Sequence, residues 1–302
     1  MPTTQGAIRL FRFAGIEVFL HWTWFILALY EVQRVNQYRS PVFNVAEYLA
    51  LFGIVTLHEF GHSLACRQVG GNADRIVLWP LGGVAYVDPP QRPGATLWSI
   101  AAGPLVNVAL LPVLFGLVFA ARAAGLVEAA PDTFALLRAI AFINLGLLVF
   151  NLLPVYPLDG GQILRSLLWF VVGRARSLTA ASVIGFLGVA ALLGLAFLAG
   201  SFWLGILAAF VAMNCWQGFQ HSRDLSRLAA IPRRPGYACP SCRSEPPLGP
   251  LWVCGRCRAP FDTFETGARC PACGAVFDET RCADCGRLSP MGEWQALGAN
   301  RP

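Results

Sequence analysis

The sequence predicts an α-helical polytopic membrane protein, with about six transmembrane helices and a short re-entrant β segment, followed by a small cysteine-rich domain. Three observations predict it. The 302 residues are 56% hydrophobic and only 13% charged, with a mean hydropathy of +0.54, a profile from which a soluble globule is hard to build. The apolar residues gather in long runs ahead of residue 220. Eight of the ten cysteines fall instead behind residue 238, in four Cys-x-x-Cys pairs.

Taken in order, residues 1–12 are short and basic, and the apolar run 16–30 that follows lacks a cleavage site. It reads as a retained first span rather than a removed signal peptide. Further spans are expected at 46–66, 97–121, 134–153, 178–199 and 202–218, near the length that crosses a hydrocarbon core. Between the second and third, residues 75–88 (RIVLWPLGGVAYVD) are β-prone but interrupted by Pro80, Gly82 and Gly83. Such a stretch is expected to form a strand or hairpin lining a cavity, where protein or water satisfies its backbone, with an edge open to an unwound substrate. An ordinary cytoplasmic loop is the plainer alternative.

All 23 basic residues are arginine, and the net charge is +6. With both termini in the cytoplasm, twelve arginines from Arg9 to Arg234 fall on inner segments and only Arg34, Arg39 and Arg122 on outer loops. The positive-inside rule then favours a multi-pass protein of the cell membrane with cytoplasmic termini. The arginines form no concentrated stripe, so no nucleic-acid partner is expected. Residues 1–220 make the membrane domain, 221–236 a basic, polar linker, and 237–302 the cysteine-rich domain.

The most informative motif, HEFGH, lies inside the second span. On a helix, His58 and His62 share a face and can converge on one metal ion, with Glu59 beside them to polarise a water. Two histidines leave a catalytic zinc one protein ligand short. The candidate third ligand is Asp159, in NLLPVYPLDGG at 151–161, where Pro154 and Pro157 break the helix and Gly160 and Gly161 permit a close turn. Proline-rich turns carrying Asp-Gly are also common loop chemistry. Asn107 and Asn151 are candidates for substrate-backbone contact or oxyanion support, or equally for hydrogen bonds between spans.

HEFGH and NLLPVYPLDGG together resemble the site-2 protease family of intramembrane zinc metalloproteases. AGPLVN at 102–107 looks like that family's AGP-x-x-N element, and FLHW at 19–22 like the start of its simpler bacterial members without a PDZ insertion. The resemblance covers residues 8–220. It implies a catalytic zinc held by His58, His62 and Asp159, Glu59 as catalytic acid/base, and hydrolysis of peptide bonds in or near transmembrane segments of membrane proteins. Regulated proteolysis in the lipid bilayer is the implied setting.

The four pairs are Cys239/Cys242, Cys254/Cys257, Cys270/Cys273 and Cys282/Cys285. They can supply two closed four-thiolate zinc sites that fold a double zinc ribbon with little core of its own. Sequential use of the first two and the last two pairs is compatible with the spacing, and interleaving is open. A cytosolic protein partner is the expected role of the ribbons. Two rivals to the protease stand beside it: a non-catalytic membrane adaptor whose ribbons recruit a partner, and a metal transporter. Glu59 beside an open metal position speaks against the first, and the lack of a polar ladder across the spans against the second.

Overall fold

The computed structural model describes residues 6–32, 38–79 and 82–296; Arg34, Pro80 and the first five residues lie outside them. The chain divides into two compact units, Met1–Gln220 and His221–Pro302.

The first unit departs from expectation at its start. Residues Ala7–Phe13 and Ile16–His21 are strands β1 and β2, and helix α1, Trp24–Val32, has nine residues, too few to span a membrane. The cause is a period of two: Ile16, Val18 and Leu20 are buried, while Glu17 and Phe19 between them are not. Glu17 instead meets Arg9 across the hairpin at 3.3 Å.

Helix α2, Pro41–Gln68, starts with proline in its first turn, where no intrahelical N–H is needed. Its 28 residues span roughly 42 Å at 1.5 Å per residue, ample for a bilayer core. The hairpin β3, Asn72–Trp79, and β4, Gly82–Asp88, follows as expected. The four strands form one sheet in the order β1-β2-β3-β4, in which only β2 and β3 run parallel; α1 and α2 supply the crossover this requires. Ile16, Val18 and Leu20 of β2 and Ile76 and Leu78 of β3 pack with Trp24 against Val55 and Phe60 of α2. The sheet is thereby fixed to the helix that carries HEFGH, with β4 as an outer strand.

Helices α3, Pro93–Ala123, the short α4, Leu126–Ala129, α5, Pro131–Asn151, α6, Asp159–Val172, α7, Arg174–Leu198, and α8, Phe202–Ala230, complete the sequence of helices. Among the described residues, α2, α3, α5 and α7 are long and apolar enough to cross a membrane. The expected last span lies within α8, which continues as helix to Ala230. Residues 221–230 of the expected linker are thus helical.

In the second unit, β5, Trp252–Val253, pairs with β6, Pro260–Phe261, and β7, Glu279–Arg281, with β8, Leu288–Pro290, before the short α9, Met291–Ala296. The basic stretch expected to be linker is folded into this unit: Arg233 pairs with Asp284, and Arg234 with buried Asp262. Burial alone would raise the Asp262 carboxyl. Backbone N–H groups of Gly249, Glu265 and Phe264 and the Arg234 guanidinium hold it below its ordinary range. The module also has more core than its composition suggests, since Tyr237, Trp252 and Trp294 meet Phe264 edge-on at ring separations of 4.9–5.3 Å.

Candidate metal centres

Helix α3 presents a face complementary to HEFGH. Ser99, Gly103 and Asn107 recur every four residues, as do His58 and His62 on α2, so the two rows run alongside each other. The Ser99 carbonyl oxygen lies 2.9 Å from His62 Nδ1, and Asn107 Oδ1 lies 2.6 Å from His58 Nδ1. Between them Gly103 leaves room for the imidazoles, because a Cβ there would sit 2.2 Å from His62 Nε2 and 2.8 Å from His58 Nε2. Gly61 lets the backbones approach from the other side, its notional Cβ 2.7 Å from the Ala102 carbonyl oxygen.

Asp159 is carried into this space by the turn after α5. Gly160 packs on the backbone at Leu152 and Leu153, and Gly161 on that at Val155 and Tyr156, at distances no side chain would tolerate. Behind the turn, Gly185 and Gly188 of α7 make way for Cys215 and Val155, a role that sequence treats only as generic helix packing. Asp159 opens α6, where the helix N-terminus favours its charge. Its Oδ2 lies 3.0 Å from His58 Nε2 and 3.4 Å from His62 Nε2, and the two Nε2 atoms are 3.1 Å apart.

A carbonyl oxygen can only accept, so His62 donates through Nδ1, and in the neutral ring its Nε2 then carries the lone pair. His58 does the same toward Asn107. With both imidazoles neutral, their Nε2 atoms and the Asp159 carboxylate present three acceptors to one buried space, an arrangement that a metal cation stabilises. Tetrahedral zinc with ligands at about 2.0–2.1 Å sets them about 3.3–3.4 Å apart, close to the separations found. The donor set fits such an ion.

Glu59 is buried on the same helix and touches the hairpin. Its Oε2 accepts a hydrogen bond of 2.8 Å from the Ala85 backbone N–H of β4, and a Cβ on Gly83 would lie 2.2 Å from its Cγ. The β segment expected to line the site therefore does so, with its outer strand against Glu59.

The asparagines part company. Asn107 is fully buried, between His58 and the side chain of Asn144 on α5, which places it behind a histidine and not toward a substrate. Asn151, half-buried at the end of α5, makes no side-chain hydrogen bond among the described residues and retains the open position. Asn144 is absent from the sequence-derived candidates, although an amide within an apolar helix calls for a polar partner. His21 is buried, stacked on Trp79 at 3.7 Å with Nδ1 2.7 Å from Thr23 Oγ1, and Cys66 is a buried thiol 3.4 Å from the Asn72 carbonyl oxygen. Neither joins the centre.

In the second unit the cysteines gather as two nested sets, Cys239, Cys242, Cys282 and Cys285 outside and Cys254, Cys257, Cys270 and Cys273 inside. This differs from sequential use of the pairs. The strand pairs β5–β6 and β7–β8 each flank a single knuckle; the inner two knuckles close on each other, and the chain then returns to the first. Sulfur separations of 3.6–3.8 Å match the about 3.8 Å that tetrahedral zinc at 2.3 Å from each sulfur imposes. All four knuckles are built alike: the residue after the second cysteine, Arg243, Arg258, Gly274 or Gly286, has positive φ and returns its N–H to the first cysteine's carbonyl.

An apolar helical unit with a His-His-Asp centre and an adjacent glutamate defines a class of membrane metallopeptidase folds. The family model of Peptidase family M50 matches residues 46–134 and 121–195, which include all four of these residues. The solved structure of the site-2 protease from Methanocaldococcus jannaschii is similar with a TM-score of 0.52 and 30% identity, over 70% of this chain and 95% of that one. The chain belongs to this family, the site-2 proteases of Peptidase family M50. Among curated relatives, a zinc metalloprotease of Methanocaldococcus jannaschii is 35% identical over 59% of this chain and 50% of its own. A protein named Rip3 from Mycobacterium tuberculosis is 31% identical over 73% of this chain and 58% of its own. The chain thus spans about half to three fifths of their length.

Proposed function

We propose that this protein is an intramembrane zinc endopeptidase that hydrolyses peptide bonds in or near the transmembrane segments of membrane proteins. The observation that carries this is the convergence of three ligand atoms from His58, His62 and Asp159 with buried Glu59 on the same helix as the histidines, a helix long and apolar enough to span a membrane. What zinc supplies at such a centre is Lewis acidity toward a carbonyl oxygen and a water acidified to a pKa of about 7.

The chain's own residues do the rest. Glu59 accepts the proton of the attacking water and passes it to the leaving amine. His58, His62 and Asp159 would hold the ion. Asn151 steadies a substrate carbonyl as charge develops on its oxygen. The outer edge of β4, next to Glu59, offers backbone groups to a substrate segment unwound into an extended strand, which presents its scissile bond in one register.

The setting is regulated release of a membrane-bound factor, with both termini in the cytoplasm, where reduced thiols keep the ribbons metallated. The ribbons recruit a cytosolic protein partner that governs which substrates reach the centre. Reconstitution with candidate transmembrane substrates tests the chemistry: Glu59→Gln is expected to abolish cleavage while the zinc content stays that of the wild type. Undiminished cleavage by that variant ends the proposal. Deleting 237–302 is expected to change substrate selection, measured as the set of membrane proteins cleaved in cells; an unaltered set removes the role given to the ribbons.

A further inference from the structure

The two histidines are braced by unlike devices. His62 rests on a backbone carbonyl, whose orientation is built into α3. His58 rests on the side-chain amide of Asn107, which can rotate by half a turn and present its NH2 in place of its oxygen. With the amide reversed, His58 Nδ1 would be the acceptor and Nε2 would carry the proton, pointing an N–H into the space between His62 and Asp159. That imidazole could not bind a metal ion.

Asn144 removes the ambiguity. Its Nδ2 donates to the Asn107 backbone oxygen at 3.0 Å, a group that can only accept, so its own amide has one possible orientation. Its Oδ1 is thereby turned to Asn107 Nδ2, 2.8 Å away. Asn107 must then donate on that side and turn its oxygen to His58. Both asparagines are fully buried, so no water competes for these positions.

We infer that Asn144 is a positioning residue that locks His58 in its metal-binding tautomer through the Asn107 amide. This rests on the metal centre proposed above and adds a residue, on a third helix, that touches no ligand. Groups that hydrogen-bond the other ring nitrogen of a metal-bound histidine are typically worth about 10–100-fold in metal affinity.

The test is a double-mutant cycle on the purified full-length protein, with zinc affinity at the non-cysteine centre read by chelator competition and Co2+ absorption as a second readout of its geometry. Asn144→Leu is expected to weaken zinc binding about tenfold. Asn107→Asp should still bind zinc, because either carboxylate oxygen can accept from His58, but less tightly than wild type, because its other oxygen then meets Asn144 Oδ1. Adding Asn144→Leu to Asn107→Asp should then cost nothing further, since a carboxylate has no wrong face. Asn144→Ala, which likewise removes both amide groups but changes the packing less, should show the same loss and serves if the leucine variant does not fold. An equal loss from Asn144→Leu in both backgrounds means helix packing and overturns the lock, as does no loss in either. If wild type takes up ribbon metal alone, the centre itself fails, and this inference with it.

Discussion

The centre among the helices and the cysteine sites of the second unit solve the same problem in opposite ways. In the ribbons, each site draws four thiols from two local knuckles of one repeated geometry, and the coordination sphere is complete. Among the helices, the three candidate ligands come from points 101 residues apart, one fewer than a closed tetrahedral set, and the helix that carries the two histidines also carries buried Glu59. Closed thiolate sites hold a fold together. An open site needs its fold made elsewhere, by the α2–α3 packing and the sheet, and can leave a position for chemistry.

Breaking the inner ribbon site should show the largest effect. With nested pairing, Cys254→Ser combined with Cys270→Ser removes one ribbon zinc and leaves the other, whereas sequential pairing would lose both. The metal-linked folding energy at stake is on the order of 10 kcal/mol. Metal analysis of the purified variant, alongside proteolysis of the 237–302 segment, decides between the two. The helical centre should keep its ion throughout.

The complementary break is Gly103→Ala. Its methyl would have to share space with both Nε2 atoms, so α3 retreats or the imidazoles turn away from Ser99 and Asn107. Zinc affinity at the centre is expected to fall at least about 100-fold, with both ribbon ions retained. Retention of the third ion with unchanged chelator competition would show that the close approach of α3 is not needed.

These tests follow the line between what could and could not be read from the sequence. His58, Glu59 and His62 were legible because one helix carries them at fixed spacing, and Asp159 because a carboxylate in an apolar stretch demands a reason. Gly103 and Asn107 were visible as a motif, but not their parts in it, since those depend on how α3 meets α2. Asn144 had no local signal beyond its polarity. The strand at 16–21 reads as a span in sequence because its apolar content masks the alternation of Ile16, Val18 and Leu20. Nesting of the knuckles depends on how hairpins fold back, which spacing alone leaves open.

The smallest effect separates the ribbons' backbone from their metal chemistry. Each knuckle places one residue at positive φ; Gly274 and Gly286 accept this freely, while Arg243 (61°) and Arg258 (64°) do so against their Cβ atoms. Arg258 is exposed and makes no side-chain hydrogen bond among the described residues, so its replacement removes the backbone penalty and little else. The penalty is about 1–2 kcal/mol, partly offset by the greater freedom of glycine in the unfolded chain. Arg258→Gly should therefore stabilise the metallated module by about 0.5–1 kcal/mol, seen as a higher midpoint in thermal or urea unfolding of the full-length protein followed at the Trp252 and Trp294 fluorescence. Zinc stoichiometry should not change, because no thiol moves. A lower midpoint would mean that the arginine contributes at this knuckle more than its conformation costs, and that the four knuckles are alike in geometry but not in what holds them.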